Sequence, residues 1–305
     1  MWIPPGTFMM GQSAPGSPNE GPARRVTLSG FWIDIHEVTN AEFGHFVHET
    51  SYITVAERPI DWDALKLQLP RGTPKPADLR AGSLVFRPPP APVELDDHSA
   101  WWHWVAGADW RHPEGPASNL DGRANHPVVH VAFEDAKAFS RWAGRRLPTE
   151  AEWEYVSSLG GDGGAFPWGD TPASETKPVA NIWQGRFPDR NLCSDGYIGT
   201  SPVMSYPPNR LGLFDLAGNV WEWCEDWYRA DTYSIQVGPL VDPAGPPNSW
   251  DPQEPTIPKR VVRGGSFLCH KDYCEAYRTT ARRGTAADTG LSHTGFRCAA
   301  DGPKR

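Results

Sequence analysis

The densest set of reactive groups in the chain is Arg263-Gly264-Gly265-Ser266-Phe267-Leu268-Cys269-His270-Lys271-Asp272-Tyr273-Cys274. Two thiols stand five residues apart, with a His, a Lys, a Tyr and a Ser between or beside them. The thiolate, not the thiol, binds metals and attacks electrophiles, and cations such as Lys271 and His270 lower a thiol pKa. Two soft thiolates with no third His or Cys in register suit monovalent copper better than tetrahedral zinc. Gly264-Gly265 permits positive φ or close backbone approach just before the thiols. The spacing alone equally fits buried structural thiols or a disulfide or redox pair.

A second set of groups is rich in carboxylates and amides. Asn181-Ile182 precedes Asp195-Gly196-Tyr197, and Asp215 precedes Gly218-Asn219-Val220-Trp221-Glu222. Such loops can offer the oxygen ligands, roughly six to eight, that calcium takes. They are also ordinary turn formers, because Asp and Asn cap turns through their own side chains. A third feature is the aromatic run Trp101, Trp102, Trp104 and Trp110. It fits a groove for an extended peptide or the filling of a loop-rich core. The remaining histidines form no ligand pattern and read as structural.

The elements that must position these groups are few. Thr39-Asn40-Ala41-Glu42 and Thr149-Glu150-Ala151-Glu152 read as capping boxes that open helices. A further helix is expected over 134–142, ended by Gly144. Strands are expected over 26–28, 31–35, 128–131, 260–262 and 296–299. The Pro-rich stretch 67–92 reads as a long ordered excursion within one domain rather than a linker. The 30 Gly and 32 Pro make about a fifth of the 305 residues, and 15 Trp argue against disorder. The picture is a folded, loop-rich body pinned by aromatic clusters.

Composition narrows the function. A formal net charge of −8 without a basic run argues against nucleic acid or an anionic membrane as partner. Mean hydropathy is −0.53, and no run of about 18 apolar residues predicts a transmembrane helix. The N-terminus shows no secretory signal. Five cysteines (Cys193, Cys224, Cys269, Cys274 and Cys298) make no disulfide framework and suggest a reducing, cytoplasmic setting. No phosphate-binding glycine loop, zincin or nucleophile-elbow motif is present.

Taken together, the segments resemble the formylglycine-generating enzyme, or sulfatase-modifying-factor, family, bacterial type. The resemblance rests on Ile3-Pro4-Pro5-Gly6-Thr7-Phe8-Met9-Met10-Gly11, Glu37-Val38-Thr39-Asn40 and Leu147-Pro148-Thr149-Glu150-Ala151-Glu152-Trp153-Glu154-Tyr155. It continues through Asn181-Ile182-Trp183-Gln184-Gly185, Gly218-Asn219-Val220-Trp221-Glu222-Trp223 and Gly295-Phe296-Arg297-Cys298-Ala299-Ala300-Asp301. Several of these blocks are shared with superfamily members that lack the activity. The cysteine segment is what sets the generating enzyme apart.

The resemblance implies one α/β domain over 1–305, mixed, loop-rich and related to C-type-lectin-like folds. The implied reaction oxidises the cysteine of a Cys-X-Pro-X-Arg segment in a nascent or unfolded sulfatase to Cα-formylglycine with O2. Cys269 and Cys274 would then hold Cu(I), and the client thiol would join as a third sulfur. Ser266 would sit beside the oxygen-binding position and Trp221 would wall it, with Tyr273 and His270 in support through hydrogen bonds. Asn181, Ile182, Asp195 and Tyr197 would bind one Ca2+, and Asp215, Gly218, Val220 and Glu222 a second. A monomer is expected, with Cys298 a free buried thiol. His293 stands where other members carry an amide. The competing expectation is a lectin-like module of the same superfamily that binds peptide or glycan without catalysis and has no need of paired cysteines.

Overall fold

Trp221–Trp227 reads WEWCEDW, and its first four residues are all buried. A strand covered on both faces belongs inside a sheet. In the computed structural model, which describes residues 1–303 apart from 14–18, 70, 175–176 and 237, this strand occupies the interior of a four-stranded sheet. It runs antiparallel to Lys259–Arg263 and parallel to Thr294–Gly295, while Arg282–Ala286 pairs with the far side of Lys259–Arg263. Two three-stranded sheets and two hairpin-like pairs complete the β-structure among the described residues.

Three helices of eight or more residues pack beside these sheets: Asn40–Thr50, Phe133–Trp142 and Glu150–Ser157. Both capping boxes form. Thr39 and Thr149 accept from the backbone of Glu42 and Glu152, whose carboxylates accept in return from the Thr N–H groups at 2.8 Å. Each cap contributes roughly 1 kcal/mol. Gly144 follows the middle helix at φ 67°, the left-handed turn that glycine makes without a Cβ clash. Phe43, Phe46, Phe139 and Phe296 interlock edge-to-face and stacked at 5.4 to 6.5 Å, joining two helices to the strand region.

Between the last helix and the sheet lies a buried charge network. Glu150 receives Arg282 at 2.6 and 2.8 Å and Arg263 at 2.9 Å, and Glu154 receives Arg263 at 2.8 Å. All four side chains are at most 2% exposed. Mutual satisfaction is what makes such burial tolerable, and loss of one partner costs about 3–5 kcal/mol. Arg263 thereby anchors the end of the strand from which the cysteine segment departs.

Three expected strands differ. Segment 128–131 carries no ladder: Val128 N–H bonds Val38 O and His130 N–H bonds Leu291 O, and His130 turns to φ 59°. Its apolar run is buried by threading between two segments, which periodicity does not distinguish from a strand. The strand expected over 31–35 stops at Ile33, and the one expected over 296–299 is instead Ala299–Asp301, paired with it. The Pro-rich stretch is an excursion of the same body, since Gly82–Phe86 pairs along its length with Trp102–Ala106. The result is a single-domain, mixed α/β, loop-rich fold.

Candidate active site

The strand Lys259–Arg263 ends at two glycines with φ of 88° and 72°. A Cβ on Gly265 would stand 3.0 Å from Tyr277 N and 3.1 Å from Cys269 Sγ, so the turn requires glycine there. Past it, Cys269 N–H bonds Ser266 O at 2.9 Å and Cys274 N–H bonds His270 O at 2.8 Å. These two local turns fold the segment back and bring the sulfurs of Cys269 and Cys274 to 2.6 Å, both buried and both free.

A hydrogen bond links the pair, and either sulfur can be its donor. The hydrogen bond from Cys269, helped by the Arg283 guanidinium, pulls Cys274 down to about 7 despite its burial. Burial and the neighbouring sulfur push the Cys269 thiol well above its ordinary value. One thiolate is therefore available near neutral pH. Two soft donors without a third side-chain ligand fit a soft monovalent ion of low coordination number. Among the described residues no group of three or more His, Cys, Asp or Glu is arranged to hold a metal.

Around the sulfurs, Trp221 is buried, and Arg283 faces its ring with the guanidinium carbon 5.9 Å from the centroid. Arg283 also hydrogen-bonds Tyr273. The Tyr273 ring stacks on Phe187 at 4.4 Å and meets Trp101 edge-on at 5.7 Å. Ser266 is fully buried, and its Oγ accepts from Leu268 N–H at 3.2 Å. His270 is buried, its Nδ1 accepting from Asp272 N–H at 3.3 Å. His293 lies against Trp102 at 4.7 Å, and burial with nearby Arg283 drives it down to about 3, so it is neutral. Trp101 is a core residue, Trp110 is buried but borders a surface cleft beside Tyr52 and Arg111, and Trp104 is exposed.

The oxygen-rich loops adjoin the thiol loop directly. Gly218 N–H bonds Gly264 O at 2.9 Å, Phe267 N–H bonds Asn219 O at 3.0 Å, and Trp183 N–H bonds Cys269 O at 3.1 Å. Within the first loop pair, the Gln184 amide donates both to Ile182 O and, at 2.8 Å, to Asp195 Oδ2. Tyr197 N–H bonds the other Asp195 oxygen at 3.0 Å. A backbone carbonyl and a carboxylate thus converge on the Gln184 amide.

The second loop is different. Both oxygens of Glu222 are taken by Arg297, at 2.6 and 2.7 Å, with Trp153 N–H adding a third bond. Asp215 is pushed up to about 6 by burial. Glu37 beside it is pushed well above the carboxylate range by burial, then by Asp215 and Glu222, and its Oε1 has no partner. Val220 is fully buried and Gly218 turns at φ 78°.

Four residues of this region are not assigned by the sequence. Asn219, at φ 56°, bonds Asn181, Ser201 and Glu37 and so knots both loops. Gln184 bridges Ile182 and Asp195. Glu37 and Arg283 arrive from distant segments. Asparagine's tolerance of the left-handed region is the one legible signal, at Asn219.

The model of the sulfatase-modifying factor enzyme 1-like domain matches residues 1–302. The chain is 45% identical to the formylglycine-generating enzyme of Thermomonospora curvata, over 98% of this chain and 92% of that protein. It is also 45% identical to that of Mycobacterium tuberculosis, over 98% and 96%. At 38% identity it matches the mouse inactive Cα-formylglycine-generating enzyme 2, over 97% and 84%. Among solved structures, PvdO from Pseudomonas aeruginosa shares the fold, with TM-score 0.60 and 22% identity over 98% of this chain and 92% of that one. No helix among the described residues is long and apolar enough to cross a membrane.

Proposed function

Because the chain belongs to the sulfatase-modifying factor enzyme 1-like family, we propose that it generates Cα-formylglycine from the cysteine of a Cys-X-Pro-X-Arg segment in sulfatases. The observation that carries this reading is the convergence of the buried Cys269 and Cys274 sulfurs at 2.6 Å. A lectin-like binding module would have no use for it, and the inactive relative makes the distinction necessary.

Cys269 and Cys274 would hold Cu(I), which supplies the electron transfer to O2 that thiols alone perform poorly. Loss of two hydrogens from the client thiol and its methylene carbon gives a thioaldehyde, which water converts to the aldehyde with release of hydrogen sulfide. Reduction of O2 to water takes four electrons, two from the client and two from a thiol reductant. Ser266 would offer its hydroxyl beside the oxygen-binding position. Trp221 would exclude water from one side of it. Tyr273, held by Phe187 and Arg283, and His270 keep the loop between the thiols in shape.

Ca2+ held by Asn181, Ile182, Asp195 and Tyr197 would crosslink loops that hydrogen-bond the thiol loop. A second Ca2+ at Asp215, Gly218, Val220 and Glu222 would have to share Glu222 with Arg297, which already engages both of its oxygens. The client is a nascent or unfolded chain, the enzyme a cytoplasmic monomer, and its five unpaired cysteines support a reducing compartment. The test is a Cys-X-Pro-X-Arg peptide with Cu(I), a thiol reductant and air, read by mass spectrometry and a hydrazide probe. Aldehyde is expected with copper and is absent without it; no aldehyde in either leaves a binding module.

A further inference from the structure

Gly44 sits in the middle of the helix Asn40–Thr50, where glycine is the least favourable residue after proline. Nothing steric requires it there. A Cβ would meet only the edge of the Trp110 ring, at 3.6 Å, an ordinary van der Waals contact. The glycine instead helps to line an open cleft of about 470 Å3 between this helix and the Trp110-Arg111 segment. That volume falls within the range of small-molecule sites, ~300–1,000 Å3. The lining shares no residue with the thiol loop. A longer side chain at 44 would take up this space, so the glycine keeps the cleft open at the expense of the helix.

The acidic and phenolic groups of the cleft are already engaged. One Glu57 oxygen accepts from the Thr54 N–H at 3.0 Å and the Thr54 hydroxyl at 2.7 Å, and the other accepts from Arg111 Nη1 at 2.6 Å. The Tyr52 hydroxyl lies between Asp135 Oδ1 at 3.1 Å and Arg58 Nη2 at 3.0 Å. The side-chain groups left with a fixed sense and no partner are donors. Arg111 stacks on Trp110, its guanidinium carbon 4.3 Å from the ring centre, and only its Nη1 is paired among the described residues. Trp110 adds a second unpaired donor, its buried Nε1–H. Val47 and the exposed Ile53 form an apolar wall beside them. A stacked guanidinium with nitrogens to spare suits a carboxylate, and the wall suits a short hydrocarbon body behind it. We propose that this cleft is a second ligand site, taking a small organic carboxylate with an apolar body.

The test titrates the full chain with hexanoate, hexylamine and inorganic phosphate near neutral pH. It follows the Trp110 indole N–H resonance, identified by its loss in Trp110→Phe. Hexanoate is expected to shift that resonance to saturation, with a Kd at least about tenfold below that of hexylamine or phosphate. Arg111→Met should erase the preference for hexanoate over hexylamine. Gly44→Leu should weaken hexanoate by about tenfold or more while Tm stays at or above that of the wild type, since leucine is the better helix former. Equal affinity for hexanoate and hexylamine, or a preference that survives in Arg111→Met, would overturn the assignment. So would a lower Tm with undiminished hexanoate binding in Gly44→Leu, which would make the glycine a packing residue. Phosphate binding as tightly as hexanoate would also overturn it, leaving an adventitious ion only.

Discussion

Gly265 packs directly against Cys269 at the turn that builds the site: a Cβ on the glycine would lie 3.1 Å from the cysteine sulfur. The backbone there is at φ 72°, where a side chain costs about 1–2 kcal/mol. The backbone nitrogen of Tyr277, at 3.0 Å from the same Cβ, blocks relief on the other side.

Gly265→Ala is therefore expected to lower stability by that amount or more and to separate the two sulfurs. Thermal denaturation checks the first effect. The rate of thiol titration by a disulfide reagent checks the second, rising as the pair opens.

A pH effect follows from His130. It is fully buried between Ser83 Oγ at 2.7 Å and Pro113 O at 2.8 Å, and burial lowers it to about 4. The unfolded chain, with histidine at 6.5, binds more protons between these values, so folding stability falls as pH drops from 6.5 to 4. The loss is on the order of 3 kcal/mol. Burial raises Asp135 and Asp215 to about 6 and Asp226 to about 7, with the opposite sign. The readout is accordingly a difference: the stability of the wild type minus that of His130→Asn, from denaturant unfolding, should fall as pH drops from 6.5 to 4, and a flat difference would show that His130 is not the cause.

Much of this arrangement is legible in the sequence and some is not. The capping boxes at Thr39 and Thr149 are local, with donor and acceptor three residues apart, so they can be read directly. The same is true of the Gly264-Gly265 turn and of the two thiols it serves. Arg283, Glu37 and Gln184 matter because of neighbours brought from other parts of the chain. Segment 128–131 reads as a strand because burial and strand pairing leave the same apolar pattern. Trp101 resembles a groove residue for a similar reason: an indole serves a core and a peptide surface equally well.

The cation reading of the first oxygen-rich loop has its own check. Ca2+ at about 100 times its Kd should raise Tm by roughly 5 °C, reversed by a chelator. Asp195→Ala should abolish the shift, because Asp195 supplies the carboxylate that meets Ile182 O around Gln184. An unchanged Tm in the wild type would remove calcium from this loop.

The central claim is that Cys269 and Cys274 act together as the reaction centre. Its most direct test compares wild type, Cys269→Ala and Cys274→Ala for conversion of a Cys-X-Pro-X-Arg peptide, after far-UV circular dichroism has established that all three are folded. The account predicts aldehyde from the wild type and a loss of at least about a thousandfold in each variant, as for groups that act as a unit. Conversion by either single variant at a rate near that of the wild type would contradict it.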